Sequence, residues 1–400
     1  MGNSVYPVPS AGASYSSQPP ASASSVLLDG QLVTASSITT SVTGTGAPWL
    51  LYANGAGGAT ITVGSDTYTV TAGSTVGTSA YTGSQSVTIA ANYAQTASTT
   101  FTSSTMPGTN LQWRSVTYGN GYFVAVAGGA SSTDAAYSTN GSTWTSSTLP
   151  SARNWYGVTY GNGKFVAVAI NTFYSAYSTN GTTWTSSTLP SPANWDGVVY
   201  GNGYYVAVQS SATTAGAYST NGTSWTASVM PSTDNWTSVA YGKGYFVAVA
   251  NGPSSAGAWS SDGINWTASA LPVSANWNSV AYGNGSFVAV NANGTSSGAY
   301  STNALNWTAA TMPSAVNWNG VVYGNGYFVA VAGNGNTGAF STNGITWTAS
   351  TTPVAGWTSV AYGKGYFVAV ALNSSTGAYF SQSILTPIAY GIYNGATVRA

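Results

Sequence analysis

Along most of the chain apolar and polar residues alternate in short runs broken by Gly, Asn and Pro, and helical apolar spacing is absent from the long repetitive part. The clearest run is Trp113-Arg-Ser-Val-Thr-Tyr118, which passes through Gly119-Asn-Gly121 into a second run over 122–127. A tight turn between two strands is predicted there, because Asn-Gly supplies the left-handed backbone that such turns need. A third run over 136–139, an Asn140-Gly141 turn and a fourth run over 143–146 complete a unit that ends at Leu149-Pro150.

The unit then returns. Its leading tryptophan recurs as Trp155, Trp195, Trp236, Trp277, Trp318 and Trp357, at spacings between 39 and 42 residues. Four antiparallel strands in a period near 41 residues predict the blades of a β-propeller. The last copy loses the pattern before its fourth strand. The missing piece lies at the other end, where Phe101-Thr-Ser-Ser-Thr-Met-Pro107 matches Trp144-Thr-Ser-Ser-Thr-Leu-Pro150 with Phe for Trp and Met for Leu. The fold class expected is all-β: a seven-bladed β-propeller of four-stranded blades over 97–382, closed by that N-terminal strand and preceded by a small all-β attachment domain, 25–96. Within the latter, 59–63 and 67–70 flank Gly64-Ser-Asp66 as a hairpin signal. Residues 1–24, rich in Ser, Ala and Pro, read as a docking arm or tether, and 383–400 as a C-terminal tail with a further hairpin signal.

At Ser138-Thr-Asn-Gly-Ser-Thr-Trp144 and Ser261-Asp-Gly-Ile-Asn-Trp266 the chain resembles the Asp-box (BNR) repeats of sialidase-like propellers, of the kind seen in phage tail and bacterial surface proteins. The spacing departs from the usual box by one residue, and Asn usually stands for Asp. In that family the box is a structural turn, so the resemblance implies a fold and no activity.

Composition narrows the chemistry. Charged residues make up 3% of the chain, six basic against six acidic, and there is no Glu, His or Cys. Disulfides, thiolate sites and histidine-based metal sites or general bases are therefore excluded, and no cofactor is expected. Without a basic patch there is no source of affinity for nucleic acid, and no apolar stretch is long enough to predict membrane insertion. The N-terminus lacks the basic and apolar pattern of a secretory signal. A glycosidase needs two carboxylates across the scissile bond. Asp134, Asp196 and Asp234 sit on or beside loops predicted to share one face, Asp262 is a turn residue, and nothing else supports catalysis, so a non-enzyme is expected.

Strict recurrence marks scaffold, so the leading tryptophans read as packing between blades. Recognition is expected where the copies differ: in the loops 128–134, 171–174, 210–214, 251–255 and 291–297, and at the position after each leading Trp, occupied by Arg114, Tyr156, Asp196, Thr237, Asn278, Asn319 and Thr358. Aromatic faces beside hydrogen-bonding groups suit sugars, which selects Arg114, Arg153, Tyr156, Phe173, Tyr174, Asp196, Asn278 and Asn319 as candidate ligand-binding residues. The expected function is that of an extracellular bacteriophage virion surface protein, a tail fibre or similar appendage, recognising a host surface polysaccharide without catalysis. Its expected partners are other virion proteins through residues 1–96, in an oligomeric particle. A capsid decoration or head fibre, a bacterial surface adhesin and a glycan hydrolase are the alternatives. With so few titratable groups, stability is expected to be nearly flat between about pH 5 and 9.

Overall fold

The computed structural model describes residues 25–27, 38–53, 59–70, 74–91, 100–129, 132–381 and 390–393, which form strands and turns. The chain divides into two compact units, 1–97 with 383–400, and 98–382.

The first unit is one six-stranded sheet among its described residues. Its two long strands, Ile38–Ala53 and Ser74–Ala91, pair antiparallel, and the register shifts around Pro48, which has no N–H to give to a ladder. Ala59–Val63 and Asp66–Val70 form a hairpin across Gly64 and Ser65, with Gly64 at φ +60°. Tyr390–Tyr393 lies between Ser25–Leu27 and Ile38–Ala53, so the last described strand shares a sheet with the first. The expected arm over 1–24, and most of the expected tail over 383–400, lie outside the described residues.

The second unit is an all-β propeller, and here the blade count departs from expectation. It has five separate four-stranded blades, not seven; the first two copies of the repeat form a single seven-stranded sheet. One strand causes the difference. Thr145–Gly161 runs unbroken from the end of one copy into the start of the next, with Arg153 paired to Ser132 on one side and Asn154 to Ile170 on the other. At three other junctions an asparagine, Asn194, Asn276 or Asn317, drops out between the two ladders, and at a fourth the preceding strand stops at Val229 although Asn235 is paired with Asn251. The Asn194 N–H donates to Ser211 Oγ (3.0 Å) and its carbonyl accepts from the Ser210 N–H (2.9 Å), while Asn276 does the same with Asn293 Oδ1 and the Ala292 N–H. In the sheet that begins with Gly356–Gly363, the fourth strand is Thr102–Thr105, paired to Thr376–Ser381.

Turn chemistry explains the local geometry. In the turn after the first strand of each copy both central residues have positive φ, as at Asn120 (48°) and Gly121 (83°), which matches the twist of a two-residue hairpin. Lys243 takes the same conformation (50°) and its Nζ donates to the Thr302 carbonyl at 3.0 Å. In the outer turn, Ser138 Oγ accepts from the Gly141 N–H (2.8 Å) and Asn140 Oδ1 accepts from the N–H groups of Ser142 and Thr143 (both 3.0 Å).

The core lies between successive copies. Trp155 is fully buried against Val124 and Val126 of the preceding copy and Phe165 of its own, and its Nε1 donates to the Ser151 carbonyl at 3.1 Å. All seven leading tryptophans are at 0% exposure, so none has a face free for a sugar. A ring of that size buries about 150–250 Å², roughly 4–6 kcal/mol at about 25 cal/mol per Å² before ordering costs. The glycine ending each first strand is needed for close approach. A Cβ on Gly242 would fall 1.9 Å from the Tyr282 ring, and one on Gly363 would fall 2.0 Å from that of Tyr118, which packs the last copy on the first.

Candidate functional site at the channel mouth

At each of the seven leading tryptophans the ladder to the second strand skips one residue. Such a bulge leaves the extra residue unpaired and re-aims its side chain. The skipped residues are Arg114, Tyr156, Asp196, Thr237, Asn278, Asn319 and Thr358, the position at which the copies differ. All seven line one cavity of about 590 Å³, with Ser210, Asn235 and Asn251 among the other polar groups.

Four of the seven are tied to their neighbours. Thr237 Oγ1 donates to the Trp277 carbonyl (2.9 Å), Asn278 Nδ2 to the Asn319 carbonyl (3.2 Å), Asn319 Nδ2 to the Trp357 carbonyl (2.9 Å) and Thr358 Oγ1 to the Trp113 carbonyl (2.7 Å). The remaining three form a titratable arc. The Arg114 guanidinium lies 4.8 Å from the Tyr156 ring centroid, with Nη1 3.4 Å from the phenol oxygen and Nη2 donating to Gln112 Oε1 at 2.6 Å. Burial pushes the Asp196 carboxyl up to about 7, against the opposing pull of a Ser210 hydrogen bond and the Arg114 charge. Burial also raises the Tyr156 phenol, which Arg114 lowers and Asp196 raises further. A partly protonated carboxyl, a guanidinium and a phenol here offer donors and acceptors of both kinds.

Of the eight residues expected from sequence, Arg114, Tyr156, Asp196, Asn278 and Asn319 meet in this cavity. The other three form a separate cluster: the Arg153 guanidinium sits 4.2 Å from the Tyr174 ring centroid, and Phe173 stacks on Tyr174 at 4.6 Å and 25°. Thr237 and Thr358, which sequence does not single out for sugar binding, share the register of Arg114 and line the same cavity; the position after the tryptophan is the signal that finds them. Asp134 and Asp234 do not join Asp196 in the cavity lining. Asp134 accepts from Ser132 Oγ (2.9 Å), and Asp234 from Ser232 Oγ (2.6 Å) and Ser254 Oγ (2.8 Å). No group of three or more Asp residues that could hold a metal occurs among the described residues.

No protein-family model matches the chain, and no curated protein matches it in sequence. Solved structures do share the fold. A catalytically inactive histidine-to-alanine variant of virginiamycin B lyase from Staphylococcus aureus, with quinupristin, matches with a TM-score of 0.62 at 11% identity, over 70% of this chain and 98% of the lyase. The WD40 β-propeller domain of Doa1 matches at 0.57 and 11%, over 70% and 96%, and YCF48 from Cyanidioschyzon merolae at 0.55 and 13%, over 71% and 99%. At these identities the likeness shows a β-propeller and says nothing of the site.

Proposed function

We propose that this chain is a bacteriophage virion surface protein, a tail fibre or similar appendage, whose propeller recognises a host surface glycan at the channel mouth without catalysis. The observation that carries the reading is the ring of seven bulged side chains, differing from copy to copy on a repeated scaffold and gathered into one polar cavity. Sugars present hydroxyls that donate and accept, and the mouth offers amides, hydroxyls, a phenol, a guanidinium and a carboxyl. Asp196 is the one carboxylate in the lining, so the paired carboxylates of ordinary glycoside hydrolysis are not assembled there. The likeness of the outer turns to Asp-box repeats belongs to the same reading, as does attachment to other virion proteins through residues 1–96.

The test is a glycan array of bacterial surface polysaccharides probed with the full chain, followed by product analysis on any ligand found. Binding that Arg114→Ala abolishes, with the ligand recovered uncut, supports recognition. Cleaved product would make the protein an enzyme, and binding that survives Arg114→Ala would move the site elsewhere.

A further inference from the structure

The Arg153, Tyr174 and Phe173 cluster is not needed to explain the channel mouth, and its construction is unusual for this molecule. Arg153 and Phe173 both lie within 5 Å of the Tyr174 ring centroid, so the three side chains form one stacked cluster about that ring. Phe173 is 39% exposed, the one aromatic among the exposed large apolar side chains described. An exposed Phe gains little from burial, but a rigid aromatic face loses little entropy when a flat apolar surface docks on it. The Arg153 Nη1 donates to the Ala152 carbonyl at 2.8 Å, which fixes the guanidinium beside the Tyr174 ring.

Position gives the stack its meaning. Arg153 and Tyr156 belong to the same strand, Thr145–Gly161, three residues apart, so at about 3.3 Å per residue the backbone positions that carry the stack and the mouth are up to roughly 10 Å apart. That span admits more than one sugar ring and is within reach of a short chain of them. This is also the strand that fuses two copies into one sheet, so platform and mouth are held by continuous ladders.

We propose that the stack is a second glycan subsite, with the apolar face of a sugar ring on Phe173, and that the ligand is therefore an extended oligosaccharide running from the channel mouth to the rim. This rests on the glycan reading above. The test uses the full chain and a size-graded set of bacterial surface oligosaccharides, from disaccharide upward, measured by calorimetry against the wild type, Phe173→Ala and Arg114→Ala. The wild type should gain about tenfold or more in affinity between the shortest and the longer members of a bound series. Phe173→Ala should lose that gain while keeping its affinity for the shortest ligand, and Arg114→Ala should lose both. Affinity that does not grow with length, or growth that persists in Phe173→Ala, overturns the second subsite and leaves the mouth reading standing. Absence of binding across every series defeats both. Unchanged thermal melting of Phe173→Ala separates a lost contact from a misfolded chain.

Discussion

Two arcs of the channel mouth share one backbone and differ in what they do with it. On one arc, Thr237, Asn278, Asn319 and Thr358 each reach the carbonyl of the adjoining first strand, so every bulge is stitched to the next. On the other, Arg114 stacks on Tyr156, and Asp196 carries a carboxyl that burial holds near neutrality. Identical bulges thus serve as seams where the side chain is short and neutral, and as open chemistry where it is not. A repeat protein can reserve part of a symmetric ring for recognition without altering the scaffold beneath it.

The largest expected effect separates the arcs by pH. Asp196 has a folded pKa raised to about 7 by burial, above an unfolded value near 4. The unfolded chain therefore releases this proton first as pH rises, so the contribution is fully present below about pH 4 and is lost as pH climbs to about 7. The size is on the order of a few kcal/mol, in place of the nearly flat profile that the scarcity of titratable groups suggests. Thermal melting from pH 4 to 8 should show the fall in the wild type and lose it in Asp196→Asn. An unchanged slope in that variant would place the titrating group elsewhere. Asp262 acts with the opposite sign: burial would raise it, but hydrogen bonds from Asn265, Ile264 and Ser260 outweigh that and hold it at about 2. Its contribution is present above about pH 4 and is lost as pH falls toward 2, so Asp262→Asn should flatten only the acid limb.

Next in size is a pair of glycines at one position on the two arcs. A Cβ on Gly157 would lie 2.5 Å from the Asp196 carbonyl, a backbone atom, whereas on Gly320 the nearest atom would be 3.3 Å away. Gly157→Ala should cost about 1–3 kcal/mol and displace Asp196, while Gly320→Ala should fall within roughly 0.5 kcal/mol of the wild type. Urea melts of the two variants check this, and equal losses would show that the titratable arc is no more tightly built than its counterpart.

Much of this could be read from the chain. The tryptophan period, the Asn-Gly turns and the match of Phe101 to Trp144 are local signals, and they carried the all-β propeller. The fused sheet was not legible, because it depends on where the fourth strand of a copy stops. Thr145–Gly161 runs on through Asn154, whereas Thr185–Ala193 stops at Asn194, whose N–H goes to Ser211 seventeen residues away, and Thr226–Val229 stops well short of the paired Asn235. The varying position after each tryptophan was visible, but the bulge that turns it toward the channel was not, since alternation alone cannot show a skipped residue. Arg153 and Tyr174 stand beside Arg114 among the candidates that sequence selects, because loop membership carries no distance.

The smallest effect tests whether the neutral arc is seam and nothing more. Thr358 donates to the Trp113 carbonyl at 2.7 Å, joining the last copy of the repeat to the first, and Thr237 makes the equivalent bond to Trp277. Replacing either with Val keeps the shape, removes the donor and leaves a carbonyl with one partner fewer, which should cost about 1 kcal/mol. The two sites share no partner, so the double variant should be additive within roughly 0.5 kcal/mol. If these side chains only stitch, Thr237→Val and Thr358→Val should lower the melting temperature slightly and leave glycan affinity within about twofold. A loss of affinity comparable to that of Arg114→Ala would mean that recognition extends around the whole mouth, and the division into a working arc and a structural arc would fail.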